Sequence, residues 1–306
     1  DFDSLCLHPV PQYTADTALD IPLPSALYSQ RRNSQGINLQ GRLAFGQLKQ
    51  AMASFLSAPL VHRWMAEPTC VSTLAAATAQ KTSLAIKNPA SQDAIIGYCQ
   101  NAAPEHCVTA IDLTTRAFPS WNCLAPLDRV HCLEHMADLL EQHRAELMAL
   151  LMLEAGKSYE NGLSEVREAV DFCRDYAQQC QQTLSQPLTL DGPTGENNRL
   201  HWQGRGVFVC ISPWNFPLAI FTGQIAAALV TGNCVIAKPA SSTPLIAARA
   251  IDLFHQAGIP SDVLQFLPCA SSQLSQSVLS DSRVVGVAFT GSIEVARHIN
   301  LTILAR

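Results

Sequence analysis

The chain beyond residue 206 alternates short apolar runs with longer helical ones, and this alternation limits the possible folds more than any other feature. Each short run has the length of a buried strand and is bounded by glycine, proline or polar residues. Alternation of this kind predicts an α/β fold with a Rossmann-like, doubly wound parallel sheet. The predicted strands are Val207–Ile211, Cys234–Lys238, 263–267 and Val284–Phe289, and the predicted helices start at Leu218, cover 244–257 and 272–279, and start again at Glu294.

The turn after the first of these strands has the composition of a ligand-binding turn. The sequence Ser-Pro-Trp-Asn-Phe-Pro at 212–217 stands where the strand should end, and open parallel sheets bind ligands outside the carboxyl ends of their strands. Two prolines restrict the backbone, so that Asn215 offers a neutral amide donor at a fixed place. The alternative is a proline-braced turn whose Asn only caps the next helix.

Two later turns are expected at the same edge of the sheet. Lys238 ends the second strand in Lys-Pro-Ala-Ser, and the last strand ends in Phe-Thr-Gly-Ser, with Gly291 and Ser292 ahead of a helix. Glycine lets a backbone approach a diphosphate, and the N-terminus of the following helix attracts the anion. Both turns have simpler explanations, because Ser292 could serve only as a helix cap and Lys238 could be an ordinary lysine at a strand end.

Taken together, P-W-N-F-P, K-P-A-S and F-T-G-S resemble the motifs of the aldehyde dehydrogenase superfamily. The resemblance implies that Asn215 donates its side-chain N–H to the oxyanion formed from a small aldehyde, and that Phe216 lines the substrate site. Such a preorganised donor typically contributes about 2.7 to 4 kcal/mol to transition-state stabilisation. The resemblance also implies NAD as cofactor, held by Ile211, Ser212, Trp214, Lys238, Ser241, Gly291 and Ser292.

One position departs from the superfamily pattern. The motif is typically K-P-x-E, and here its fourth residue is Ser241. A carboxylate there would bind the ribose hydroxyls and repel a 2′-phosphate, whereas a serine hydroxyl binds ribose weakly and repels nothing. We therefore expect NAD as the cofactor and leave NADP open.

Residues 1–40 carry a second resemblance. Ile21-Pro-Leu-Pro, Leu27-Tyr28 and the run from Arg31 to Gly36 are similar to the segment that joins the two modules of bifunctional proline-utilisation enzymes. This similarity implies an FAD-binding proline dehydrogenase domain upstream of the chain and a 1-pyrroline-5-carboxylate dehydrogenase module after the linker. We expect residues 1–78 to form the linker and a helical segment, and 79–306 to be the N-terminal part of that module. A surface linker with a solvated arginine pair is the simpler alternative.

Three helical stretches are predicted before the parallel sheet. The first covers 39–56. The second begins near Trp121, with Pro126 in its first turn, and carries one long apolar stripe over 130–151. The third covers about 162–181. An extended linker and these helices therefore precede the sheet.

Three shorter features are interpreted as structural. The sequence E-A-G-K at 154–157 resembles a superfamily motif, and Gly156 is expected to end the second helix. A strand at 82–86 and the residues after it resemble the superfamily's N-terminal hairpin. An edge strand is expected at 199–203, in a region that the superfamily uses for subunit contacts, which implies a homo-oligomer.

A zinc-protease-like pattern, H-x-x-E-H, occurs at His131, Glu134 and His135. At 100° per residue both histidines point away from the apolar stripe, and no third ligand is evident. We therefore predict a solvated helix face and no metal site.

Composition bears on the molecules that the protein could bind and on where in the cell it should work. Lys and Arg number 20 against 25 Asp and Glu, a net charge of −5, which gives no indication of nucleic-acid binding. The 11 cysteines contain no C-x-x-C pair and are interpreted as reduced thiols. Without an apolar run long enough to span a membrane or a signal peptide, we expect a cytoplasmic protein, with membrane association only through parts of a parent protein outside the chain.

The residues that should perform the chemistry are not evident in the chain. An aldehyde dehydrogenase needs a nucleophilic Cys and a Glu general base, and in the superfamily both follow F-T-G-S, in segments expected beyond Arg306. Cys210 and Cys234 fall inside apolar strands, where burial keeps a thiol inert. We therefore expect an inactive, cofactor-binding piece with an unpaired strand edge. The alternatives are an aldehyde dehydrogenase of another substrate class, such as succinate semialdehyde, and a complete, non-catalytic dinucleotide-binding or assembly module.

Overall fold

The computed structural model describes residues 26–57, 64–72 and 83–306. The Ile-Pro-Leu-Pro segment at Ile21, the predicted strand start at Thr82 and the expected boundary at 78/79 lie outside these ranges. The helices are α1 (Arg42–Leu56), α2 (Pro104–Cys123), α3 (Pro126–Gln142), α4 (Arg144–Ala155), α5 (Tyr159–Thr183), α6 (Ala219–Val230), α7 (Pro244–Gln256), α8 (Ser271–Leu274, continued by a π-helical segment, Ser275–Leu279) and α9 (Ile293–Leu304). The strands are β1 (Trp64–Ala66), β2 (Ser83–Asn88), β3 (Ser91–Gln100), β4 (Leu188–Leu190), β5 (Asn198–Leu200), β6 (Val207–Ile211), β7 (Cys234–Lys238), β8 (Leu264–Phe266) and β9 (Val284–Phe289).

Four parallel strands form the main sheet, in the order β8-β7-β6-β9. Every residue of β7 is buried, as expected for a central strand covered on both faces. β6, β7 and β9 have the predicted bounds, and the strand predicted at 263–267 is shortened to β8. The prediction of an α/β fold built on a parallel sheet is confirmed.

The order of the strands reverses at β6. From β6 the chain moves outward to β7 and β8, then crosses back and places β9 on the other side of β6. Because such crossovers are right-handed, the two directions put the connecting helices on opposite faces of the sheet. α6 and α7 pack with α3, whereas the π-helical end of α8 packs with α2 and α9. The crevice between the carboxyl ends of β6 and β9 is therefore the switch point at which sheets of this kind bind ligands.

The helical layer differs from the prediction in two places. Trp121 does not begin a helix but lies near the end of α2, a helix that the sequence pattern did not indicate. Its threonines and aromatic residues have modest helix propensity, and tertiary burial of one face compensates. The single stripe over 130–151 is divided between α3 and α4 at His143, where φ is −91° and ψ is 13°. One non-helical residue leaves Leu140 and Leu147 on the same buried face, so periodicity cannot reveal the break.

The two smaller sheets contain the predicted hairpins. β2 pairs antiparallel with β3, and β1 joins β3 in parallel. β4 and β5 form a separate antiparallel pair in which the expected edge strand at 199–203 is found as Asn198–Leu200. Exposed apolar side chains cluster on this hairpin, and they are Leu188, Leu190, Leu200 and the nearby Trp202.

The Arg-Arg-Asn-Ser segment is docked onto the helices. Ser34 is fully buried, and both its backbone N–H and its hydroxyl donate to the carboxylate of Asp171 on α5, at 2.7 Å each. Arg31 pairs with Asp175 at 2.9 Å, and Arg32 pairs with Asp138. Arg32 is exposed, but Arg31 is half-buried and Ser34 fully buried, so the segment packs against the helical layer and is not simply a solvated arginine pair.

Candidate cofactor and oxyanion site

The three turns singled out in the sequence meet at one edge of the main sheet. In register, Ile211 of β6 lies beside Lys238 of β7 on one side and Phe289 of β9 on the other. The N–H of Ser212 donates to the carbonyl oxygen of Lys238 at 3.3 Å, and the N–H of Thr290 donates to the carbonyl oxygen of Ile211 at 3.2 Å. The ends of the three strands are therefore joined directly by backbone hydrogen bonds.

The proline-braced turn presents its central side chains to solvent. Ser212 is buried beneath it, whereas Trp214 is 63% exposed and Phe216 is 38% exposed. Asn215 is exposed, and within the described part of the chain nothing hydrogen-bonds to its side chain. No side chain of the turn caps α6, so the alternative of Asn215 as a helix cap is not observed. The amide is free to donate to a ligand.

An ion pair between the half-buried Lys157 and the buried Glu165 contacts this turn. The ammonium of Lys157 donates to the carbonyl oxygen of Asn215 and lies 2.8 Å from Oε1 of Glu165. The same ammonium sits 4.6 Å from the centroid of the Phe216 ring, a cation–π contact. One charge therefore contacts the backbone of Asn215 and the side chain of its neighbour.

Glu165 holds the other end of the turn. Its Oε2 accepts hydrogen bonds from the backbone N–H groups of Leu218 and Ala219, at 3.1 and 3.2 Å. These are among the N–H groups at the start of α6 that have no partner within the helix, and a carboxylate there also interacts favourably with the helix dipole. Glu165 is 1% exposed, so the pair with Lys157 balances a charge that would otherwise be buried alone.

The second turn is supported in a similar way by Glu154. Its two carboxylate oxygens accept from the N–H groups of Leu245 and Ile246 at the start of α7, at 2.7 and 2.8 Å. Complete burial outweighs these hydrogen bonds and raises the pKa of Glu154 to about 8. Gly156, two residues later, ends α4 in the left-handed conformation at φ 66°, as predicted. The E-A-G-K sequence therefore contacts the start of α7 through Glu154 and the turn that precedes α6 through Lys157.

Lys238 is less accessible than the sequence suggested. Its side chain is 5% exposed, and the ammonium donates to the carbonyl oxygen of Pro239 at 3.0 Å. Burial lowers the pKa of this lysine, and the nearby Cys269 opposes the effect. The alternative that Lys238 is an ordinary surface lysine therefore does not hold. Ser241 is exposed in the turn that follows.

The third turn joins β9 to α9. A Cβ placed on Gly291 would lie 2.5 Å from Cζ of Phe289, so only glycine fits without displacing that ring. Ser292 caps α9 by accepting from the N–H of Val295 at 3.4 Å. The exposed Glu294 bonds to its own backbone N–H and to Ser292, which lowers its carboxyl pKa. Ser292 is thus the N-cap of α9, at the point where the third turn enters the helix.

The cysteines near the site are not activated nucleophiles. Burial raises the pKa of Cys210 and of Cys234 to about 12. Cys107 differs, because hydrogen bonds from Cys269 and Gln273 lower its pKa, but it is completely buried and out of reach of a substrate.

The H-x-x-E-H sequence lies on the outer side of α3. His131 and His135 are exposed, and Glu134 pairs with Arg174 of α5 at 3.4 Å. Over residues 26–57, 64–72 and 83–306 no group of three His, Cys, Asp or Glu residues is arranged to hold a metal ion.

None of the helices in those ranges is long and apolar enough to cross a membrane.

Comparison with known proteins decides the family. The sequence profile of the aldehyde dehydrogenase family matches residues 76–305. This chain belongs to the aldehyde dehydrogenase family. The resemblance read from P-W-N-F-P is confirmed.

The matched relatives include proline-utilisation proteins and 1-pyrroline-5-carboxylate dehydrogenases. The bifunctional protein PutA of Klebsiella aerogenes is 41% identical over 94% of this chain, and the 1-pyrroline-5-carboxylate dehydrogenase of Bacillus subtilis is 35% identical over 69% of it. The chain spans 20% of the first relative and 41% of the second. A solved 1-pyrroline-5-carboxylate dehydrogenase from Thermus with bound NAD superposes with a TM-score of 0.80 at 28% identity, over 89% of this chain and 51% of that one.

The structure brings together most of the predicted residues and adds two. Ile211, Ser212 and Lys238 are joined by strand pairing and a hydrogen bond, and Gly291 and Ser292 follow Thr290, which is bonded to Ile211. Ser241 lies farther along its turn, and no hydrogen bond joins it to the other two turns. The sequence interpretation treated Lys157, within E-A-G-K, as structural and did not single out Glu165. Glu165 could have been noticed, because it shares its helix face with Gly162 and Ala169, both buried.

Proposed function

We propose that this aldehyde dehydrogenase chain is the NAD-binding part of an enzyme that oxidises glutamate γ-semialdehyde, the open form of 1-pyrroline-5-carboxylate, to glutamate in proline catabolism. The observation that carries the proposal is the convergence of the P-W-N-F-P, K-P-A-S and F-T-G-S turns on one sheet edge. The 41% identity to a bifunctional proline-utilisation protein over 94% of the chain supports this choice among aldehyde dehydrogenases.

The residues at this edge fit a dinucleotide. Lys238 and Ser241 would hold the adenine-side ribose, and a diphosphate would lie against the backbone at Gly291, beside Ser292 and the start of α9. Ile211, Ser212 and Trp214 would line the path toward the nicotinamide. When bound, NAD accepts the hydride removed from the substrate. Because Ser241 carries no charge, it does not exclude the 2′-phosphate of NADP.

Asn215 would act on the substrate itself. Its side-chain N–H, exposed and without an internal partner, would stabilise negative charge on the aldehyde oxygen, and the Phe216 ring would line the substrate pocket. We propose that the nucleophilic Cys and the general-base Glu belong to parts of the protein outside this chain, because the thiols beside the site are buried with raised pKa values. By itself the chain would bind cofactor and turn over no substrate.

The remaining assignments concern the whole protein. We propose that a proline dehydrogenase domain with FAD precedes the chain, that 1–78 connects it to the module starting at 79, and that the protein works in the cytoplasm. The exposed apolar hairpin of β4 and β5, which carries Leu188 and Leu190, would form a contact between copies of the protein.

The direct test is calorimetric titration of NAD, and then NADP, into the chain and into Lys238→Ala, with circular dichroism to verify folding. Saturable binding weakened at least tenfold by the substitution is the expected result. The full-length gene product should then reduce NAD with 1-pyrroline-5-carboxylate in preference to succinate semialdehyde. A preference for the latter aldehyde would indicate another substrate class, and absence of both binding and turnover in folded protein would indicate an assembly module.

A further inference from the structure

We propose that Lys157 and Glu165 are positioning residues that fix the Asn215 amide for catalysis. This inference rests on the proposed function, because it assigns to the pair a task at the same oxyanion site. Lys157 contacts the backbone carbonyl oxygen of Asn215 and the Phe216 ring, and Glu165 accepts from backbone N–H groups at the start of α6, so neither residue contacts the Asn215 side chain itself.

The turn has few internal means of holding its shape. Pro213 and Pro217 have no N–H to donate, and α6 has no side-chain cap from the turn. Pro213 to Phe216 are exposed or half-buried, so packing alone does not fix them. The external contacts that span the turn are those of the ion pair, at Asn215 and Phe216 on one side and at Leu218 and Ala219 on the other.

The pair is well placed to act as a rigid support. Its partners come from different parts of the helical layer, Lys157 from the loop after α4 and Glu165 from the second turn of α5. The Lys157 side chain is 15% exposed and that of Glu165 is 1% exposed, so water and salt weaken their attraction little. A catalytic donor must be held within a fraction of an ångström, and a small displacement can reduce the rate by up to about 100-fold.

The test uses the full-length gene product with Lys157→Met, which keeps length and apolar bulk but removes the charge. We expect kcat to fall by about 10- to 100-fold with less than a twofold change in the dissociation constant of NAD. Lys157→Arg, which keeps the charge, should recover most of the loss. Lys49→Met is the matched control, since Lys49 makes a similar cation–π contact with Phe45, at 4.8 Å, on α1; its kinetics should not change.

A double-mutant cycle separates positioning from general stability. In an Asn215→Ala background, where the donor is already absent, Lys157→Met should reduce kcat by less than twofold. An equal reduction in both backgrounds, or an unchanged kcat in Lys157→Met, would overturn the proposal. If the unpaired Glu165 prevents folding, the variant Lys157→Met/Glu165→Gln removes both charges and serves in its place.

A second measurement does not depend on turnover. Amide hydrogen exchange of the peptide covering 212–219 should become at least tenfold faster in Lys157→Met and remain unchanged in Lys49→Met. If the wild-type protein oxidises no aldehyde, the proposed function fails while this exchange measurement still decides whether the pair holds the turn. Unchanged exchange in Lys157→Met refutes the positioning role whatever the activity.

Discussion

Glu154, next to last in α4, accepts the backbone N–H of Leu245 at the start of α7, 91 residues later in the chain. Burial raises its pKa from 4.5 to about 8. Between these values the folded protein keeps a proton that the unfolded chain releases. The free energy of unfolding should therefore fall as pH rises through this window, by at most about 1.4 kcal/mol per pH unit.

Glu154→Gln should abolish that dependence. The amide is similar in shape and does not titrate, so urea unfolding of the variant should lose less stability between about pH 5 and 8 than the wild type does. Glu196→Gln, on an exposed loop, is the control and should follow the wild-type curve. Parallel curves for Glu154→Gln and wild type would show that Glu154 does not carry the proton.

Ser241→Glu should make the site selective for NAD. A carboxylate at this exposed position can accept from the ribose hydroxyls and repels the 2′-phosphate of NADP. We expect the ratio of the NADP and NAD dissociation constants to rise at least tenfold, measured by calorimetry. Ser242→Glu places the same charge one residue along, also exposed, and should change the ratio much less. Equal effects of the two substitutions would indicate general electrostatics and not ribose recognition.

The sequence predicted the sheet more accurately than the helices, for a physical reason. Each central strand is a short apolar run stopped by a residue that changes the backbone, as at Gly206 before β6, at φ 140°, and Pro239 after β7. Helix ends carry weaker signals. The break at His143 leaves the buried stripe in phase, and α2 has an apolar face assembled partly from cysteine, alanine and threonine.

The candidate site also has one part that a local sequence pattern reveals and one part that it does not. The meeting of the three turns at one edge of the sheet could be predicted, because their motifs are contiguous and each follows a strand. The contact of the Lys157–Glu165 pair with the Asn215 turn could not be predicted, because periodicity assigns a residue such as Glu165 to a face of its helix and says nothing of the element packed against that face. Glu154 was correctly interpreted as structural, but its partner helix, α7, was beyond the reach of a local pattern.

Gly291→Ala should disrupt the third turn. The added Cβ would lie 2.5 Å from the Phe289 ring, so the ring or the backbone must move at the mouth of the site. We expect affinity for NAD to fall at least tenfold, by calorimetry, with the far-ultraviolet circular dichroism unchanged. Gly46→Ala is the matched control: nothing lies within 4 Å of its Cβ, and alanine in the middle of α1 should stabilise by about 0.5 to 1 kcal/mol. Unchanged affinity in Gly291→Ala would mean that the cofactor does not approach this turn.

Asp171→Ala should release the segment around Ser34. The carboxylate accepts from both the backbone N–H and the hydroxyl of a serine that is fully buried, and hydrogen bonds to a charged group contribute about 1.5 to 3 kcal/mol each. We expect a loss of about 2 to 4 kcal/mol in the free energy of unfolding, and faster tryptic cleavage at Arg31 and Arg32. Asp191→Ala, on an exposed loop, should change neither quantity. If cleavage at the arginine pair is as slow in Asp171→Ala as in the wild type, the segment is held by its ion pairs with Asp175 and Asp138, and the contact with Asp171 is dispensable.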